Sequence, residues 1–121
     1  MRHTPTAVVA LQDDSIVTVR IRPGIAQTVT DAELNLAAAL DLREGRRRPI
    51  LVDIREAVPL AADVRRYYSG PVLKSFSAMA LLIHASPLGR MIGNVYLRVA
   101  NTPIPTRLFT SEDSAVEWLR S

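Results

Sequence analysis

With 121 residues, 48% of them hydrophobic, the chain is long enough to bury one core and too short for two ordinary domains, so a single domain over residues 1–121 is expected and disorder is excluded. The absence of cysteine excludes a disulfide framework, a thiolate nucleophile and cysteine-based metal binding, and it fits a reducing, cytoplasmic setting. The net charge of +3 comes from arginines dispersed among acidic residues, apart from the run Arg46-Arg47-Arg48; without a basic stripe, a nucleic-acid partner is not expected.

The opening residues, Met1 to Pro5, show no apolar run before a small-residue cleavage site, so no secretory leader is expected. The most apolar stretch, Ala78 to Ala85, falls far short of the ~20 residues a bilayer demands, and a soluble protein follows as the expectation. Two β-prone runs come first, Ala7 to Leu11 and Ile16 to Ile21. The polar turn Gln12-Asp13-Asp14-Ser15 between them predicts a hairpin. Pro23-Gly24 then stops the second strand.

Thr30 followed three residues later by Glu33 reads as a helix capping box, with Val29 and Leu34 as its hydrophobic staple. Leu36, Ala39 and Leu40 continue an apolar face, Asp41, Arg43 and Glu44 a solvated one, and Gly45 supplies a left-handed stop. Pro49 to Ile54 is apolar without alternation until Asp53, as expected for a strand covered on both faces. Pro59 suits the first position of a helix running to about Tyr68, with Leu60, Val64 and one of Tyr67 or Tyr68 inward and Arg65 and Arg66 outward. Ser69-Gly70-Pro71 ends it.

Ala78 to Ile83 is the most apolar strand and is expected at the centre of the sheet. Ser86-Pro87 reads as cap and first residue of another helix, with Leu88, Ile92, Val95 and Val99 on one side and Asn101-Thr102-Pro103 as its end. Thr106 to Phe109 makes a short strand. Thr110 or Ser111 caps a last helix whose Ala115, Trp118 and Leu119 face the core. The order β-β-α-β-α-β-α-β-α predicts an α/β fold: a mixed, mostly parallel five-stranded sheet with an N-terminal β-hairpin and helices packed on it.

Two phrases within this layout resemble the anti-sigma-factor-antagonist superfamily, the STAS or SpoIIAA-like domains. Arg48-Pro49-Ile50-Leu51-Val52-Asp53 resembles the family's third strand, which ends in an acidic residue. The stretch from Phe109-Thr110 through Ala115 to Trp118-Leu119 resembles the family's closing "F-T-x-x-x-x-A-x-x-W-L" phrase. The resemblance implies a helix-covered mixed sheet and a regulatory role in protein–protein signalling. Family members that act as phosphoswitches carry an Asp-Ser-[Ser/Ala]-Gly phrase at the helix start after the third strand. Here Arg55 to Asp63 contains neither Ser nor Thr, so the phosphoswitch does not carry over. A related branch resembles the lipid-binding Sec14 domains, which implies a second possibility, a small apolar ligand.

Asp53 sits near the C-terminal end of a parallel strand, where open α/β sheets place ligands, and Arg55, Glu56 and Arg65 lie close in sequence. The alternative is a structural ion pair between Asp53 and an arginine. His84 holds the corresponding place on the next strand, ahead of the Ser86-Pro87 helix start, where it would assist an anion or pack quietly. His3, in a frayed terminus, is no expected partner for it. Gly89 and Gly93 share a helix face and suggest close packing. Tyr67, Tyr68, Arg65 and Arg66 form the candidate partner surface, since Tyr and Arg are enriched in interface hot spots.

No metalloprotease, P-loop, nucleophile-elbow or paired-carboxylate motif is readable, so no catalytic residue, metal site or cofactor is expected. The reading is a non-enzymatic regulatory or protein-interaction domain, working as a homo-oligomer or with a protein partner. The alternative is a binding domain for a small apolar or anionic ligand, and both place the working surface among Asp53, Arg55, Arg65, Arg66, Tyr67, Tyr68 and His84.

Overall fold

The computed structural model describes residues 1–91, 94 and 102–121. Six strands form one sheet in strict chain order: β1 (Arg2–His3), β2 (Ala7–Leu11), β3 (Val17–Ile21), β4 (Ile50–Asp53), β5 (Met79–Leu82) and β6 (Thr106–Phe109). The first three pair antiparallel, and β3 through β6 pair parallel. Around them stand α1 (Val29–Leu42), α2 (Ala62–Tyr68), a 3-10 turn (Pro71–Ser75), a helix begun by residues 87–91 (α3) and α4 (Glu112–Arg120). The fold is thus the predicted α/β arrangement with a mixed, mostly parallel sheet, enlarged by one strand.

That added strand corrects the expectation of a frayed N-terminus. Thr4 N–H donates to the Ala7 carbonyl at 2.9 Å and Ala7 N–H donates to Thr4 Oγ1 at 3.0 Å, turning the chain back so that His3 pairs with Val8. A two-residue strand bounded by a threonine turn carries no periodicity for a sequence reading to detect.

The start of α1 also moves. Thr28, not Thr30, is the cap: its Oγ1 accepts from Asp31 N–H at 3.2 Å while Asp31 Oδ2 accepts from Thr28 N–H at 2.9 Å. Both threonines precede an acid by three residues, and the earlier box extends the helix while Ala32, Leu36 and Ala39 still face the sheet. Leu34, read as half of a staple, is 46% exposed. At the other end Glu44 enters the left-handed region before Gly45 does, so the stop takes two residues.

Helix α2 begins at Ala62 rather than Pro59, because proline at a first-turn position permits a helix without compelling one. Residues 57–61 stay non-helical, and Ala57 to Leu60 become a wall of the site described below.

The sheet has two unequal faces. On one, Val17, Val19, Ile50, Val52, Met79 and Leu81 pack against Leu36 and Ala39 of α1, Val64 and Tyr68 of α2, and Phe76. On the other, Leu51, Ala80 and Leu82 pack against Ala115 and Leu119 of α4. Phe109 and Trp118 meet at 5.7 Å between ring centroids, with Arg107 over both rings. The phrase from Phe109 to Leu119 therefore has a packing role, and Ser111 is the residue that caps α4. Helices α1 and α2 share a face because right-handed crossovers between consecutive parallel strands return to the same side.

Candidate functional site

Strands β4 and β5 end side by side, and beyond their C-terminal ends the chain leaves a crevice of about 190 Å³. Its walls are mainly apolar: Ile54, the segment Ala57-Val58-Pro59-Leu60, Ile83 and Met91. Three polar side chains border it, Arg55, Arg65 and His84. The segments that follow β4 and β5 line it, at the C-terminal ends of the parallel strands, the end of the sheet at which open α/β folds place ligands.

Gly89 closes one end. Ser86 caps α3, its Oγ accepting from Gly89 N–H at 3.0 Å, and this draws the first turn down onto the end of β5. The backbone of residue 89 then lies against the His84 carbonyl so tightly that a Cβ there would overlap its oxygen and stand 3.0 Å from its carbon. The sequence reading of Gly89 as a close-packing residue agrees with this contact. Gly93, Ile92, Val95, Val99 and Asn101, on which the rest of that helix was read, lie outside the described residues.

Asp53, Arg55, Arg20 and Glu112 form a closed group of ion pairs beside the crevice. Asp53 Oδ1 accepts from Arg55 Nε at 3.0 Å and from Arg55 backbone N–H at 3.1 Å. Its Oδ2 accepts from Arg55 Nη2 at 2.8 Å and from Arg20 Nη1 at 3.0 Å. Arg20 also makes a two-pronged contact with Glu112, at 2.8 and 3.0 Å, at the first turn of α4, where a carboxylate suits the helix dipole. The group binds β3, β4 and α4 together across the second face of the sheet.

Burial alone would raise the Asp53 carboxyl, but hydrogen bonds from the Arg55 side chain and backbone, its charge and the Arg20 hydrogen bond outweigh it and hold the group below the usual aspartate value. The Arg20 hydrogen bonds likewise hold Glu112 down against a smaller effect of burial. Both folded-state values lie below the unfolded ones, so their stabilisation is present above the unfolded values near pH 4 and is lost as pH falls through the folded values. Asp53→Asn should lower Tm by about 4–8 °C at pH 7, or about 1–2 kcal/mol, a figure reduced because both arginine partners are more than a third exposed. Thermal unfolding of both proteins at pH 7 and pH 3 tests this: the difference should shrink at pH 3, and a pH-independent gap would remove the ion pairs as its cause.

The remaining predicted site residues divide. His84 is exposed and shares a shallow depression with Asp53, Arg55 and Glu56, yet no hydrogen bond joins it to Asp53 among the described residues. Arg65 faces the crevice, whereas Arg66 is exposed and does not line it. Tyr67 is half-buried and meets Tyr68 edge-on at 6.4 Å. Tyr68 is 4% exposed and points into the core, where it donates to Gln27 Oε1 and accepts from Asn35 Nδ2 at 3.0 Å. Desolvation pushes its phenol up to about 12, against the Asn35 hydrogen bond, so it stays protonated at any ordinary pH. The structure therefore brings Arg55, Arg65 and His84 to one rim and sends Tyr68 inside.

Sequence reasoning did not single out Arg20, Glu112 or the apolar wall. Arg20 had a visible signal, being the only charge inside the β3 run, opposite Asp53, the only charge inside β4. Among the described residues no group of three or more His, Asp or Glu is placed to hold a metal ion. No helix among them is long and apolar enough to cross a membrane.

The sheet order, the helices on its two faces and the opening hairpin define the class: this is an α/β domain with a SpoIIAA-like fold. The crystal structure of an uncharacterised protein of the DUF3478 family from Shewanella loihica PV-4, described as having that fold, matches with a TM-score of 0.65 and 21% identity over 98% of both chains. The chain belongs to the family described as Domain of unknown function (DUF7793), whose model matches residues 9–121. A protein of unknown function from Arthrobacter sp. FB24 is 34% identical over 92% of this chain and 90% of its own, with a TM-score of 0.36. No curated protein matches the sequence.

Proposed function

We infer that the protein is a non-enzymatic regulatory domain that works by binding, with the crevice at the ends of β4 and β5 as its binding site. The observation that carries this reading is the crevice itself, an apolar hollow with a few polar side chains at its rim, which is the usual make-up of a small-molecule site. The non-enzymatic part is supported by the state of the two residues best placed for chemistry. Asp53 is taken up by two arginines, and His84 has no carboxylate to orient it among the described residues. A cavity of about 150 Å³ holds a benzene, so about 190 Å³ suits a ligand body slightly larger than that and well below drug size.

One observation favours a protein partner at the same place. Val58 and Met91 line the crevice yet are 37% and 57% exposed, and Leu88, three residues before Met91, is 61% exposed. An exposed apolar rim around a hollow of one side chain's size also suits an anchor residue from a cytoplasmic partner or from a second copy of the chain.

Mass spectrometry of the freshly purified protein, native and then denatured, separates the two. A small non-covalent mass lost on denaturation is the result expected for the ligand reading. A clean multimer of bare chains would replace it with the interaction reading.

A further inference from the structure

Resting on the reading of the crevice as a ligand site, we propose that its ligand is a small organic carboxylate, held by the guanidinium of Arg65 with its apolar body in the hollow. The arginines nearby differ in one respect. Arg55, which also lines the crevice, and Arg20 beside it are each paired with Asp53 and Glu112. Arg65 has no carboxylate within salt-bridge distance among the described residues. Its Nη1 donates to the Leu60 carbonyl at 2.6 Å, which holds the head against the wall of the crevice, and its Nε is buried with no hydrogen-bond partner among the described residues.

A half-buried guanidinium with one carbonyl for company is poorly compensated, because a neutral oxygen offsets little of the lost hydration of a full charge. An anion entering the crevice supplies the missing charge; with Nε buried, Nη2 and the second N–H of Nη1 are the donors left to meet a planar carboxylate end-on. The rest of the wall sets the other end of the ligand. Ile54, Val58, Leu60 and Ile83 offer no hydrogen bond from their side chains, so the body must be apolar, and the volume limits it to about an aromatic ring or a short branched chain. His84 at the rim adds a hydrogen-bonding group beside the head without being needed for charge.

The test titrates the intact protein, by NMR or calorimetry, with 3-phenylpropionate and with its neutral amide, which keeps the ring and removes the charge. The acid should bind about tenfold tighter than the amide. Arg65→Gln should abolish that preference and leave the amide's weak binding within about twofold, Arg65→Lys should restore part of it, and Arg66→Gln, on the exposed side of α2, should change nothing. Equal binding of acid and amide to the unaltered protein would overturn the carboxylate proposal while leaving the crevice a ligand site. Saturable binding of neither at millimolar concentration would overturn both. The comparison on the unaltered protein decides the matter even if Arg65→Gln does not fold.

Discussion

Asn35→Ala is expected to destabilise the fold by about 3 kcal/mol, lowering Tm by about 12 °C. Asn35 is fully buried in α1, a position that a hydrophobic residue would ordinarily fill. The two N–H groups of its Nδ2 are shared among Thr6 Oγ1 at 2.9 Å, Gln27 Oε1 at 3.1 Å and Tyr68 Oη at 3.0 Å, and its Oδ1 accepts from Thr4 Oγ1. The amide thus ties together the turn before β2, the approach to α1 and the end of α2. Removing it leaves several buried polar groups short of a partner, each costing about 1–3 kcal/mol where water cannot reach, with relaxation recovering part. Tyr68→Phe removes one of the same bonds, so the double variant should be less destabilised than the sum of the two. Urea unfolding of the three variants checks both statements; an Asn35→Ala cost below about 1 kcal/mol would mean the amide is not the keystone of this network.

Gly89→Ala is expected to destabilise the protein by about 2–4 kcal/mol, and the sign is the informative part. In an open helix the same change stabilises by up to about 1 kcal/mol, because alanine is the better helix former. Here the added methyl would overlap the backbone carbonyl of His84, a group that cannot rotate away as a side-chain tip can. Either α3 lifts off the end of β5 or the His84 peptide moves, and both open the crevice that Gly89 and His84 line together. Thermal unfolding supplies the sign, and amide chemical shifts of Ile54, Ile83 and His84 report the movement. A variant as stable as the parent would show that the first turn of α3 does not press on the strand.

The layers of this fold were legible because each apolar run has one period. Ile50 to Val52 and Met79 to Leu82 are continuous, as strands buried on both faces must be, and α4 shows its inward face through Ala115 and Leu119. The cap of α1 was misplaced because two threonines satisfy the same local rule, and the choice between them is made by packing against the sheet. The site was legible only as a neighbourhood. Asp53, Arg55 and His84 follow from the rule that ligands gather at the C-terminal ends of parallel strands. What lies between them depends on the loop from Ala57 to Leu60, which has no periodicity, and on Glu112, distant in sequence from Arg20. Long-range ion pairs leave no local pattern, whereas Tyr68 is buried because it stands four residues after Val64 on the same face of α2.

The strict chain order of the six strands bears on how the protein is made. Every strand from β2 onward docks against the one synthesised just before it, so no strand has to be threaded between two that are already paired. The loops to be closed are single crossovers, which keeps the separation between partners short for a parallel sheet. Assembly can therefore proceed outward from the hairpin, with β1 at one edge of the growing sheet and the newest strand at the other. Glu112 of α4 then reaches back to Arg20 of the hairpin, so that docking of this helix ties the segment after β6 to strands laid down well before it.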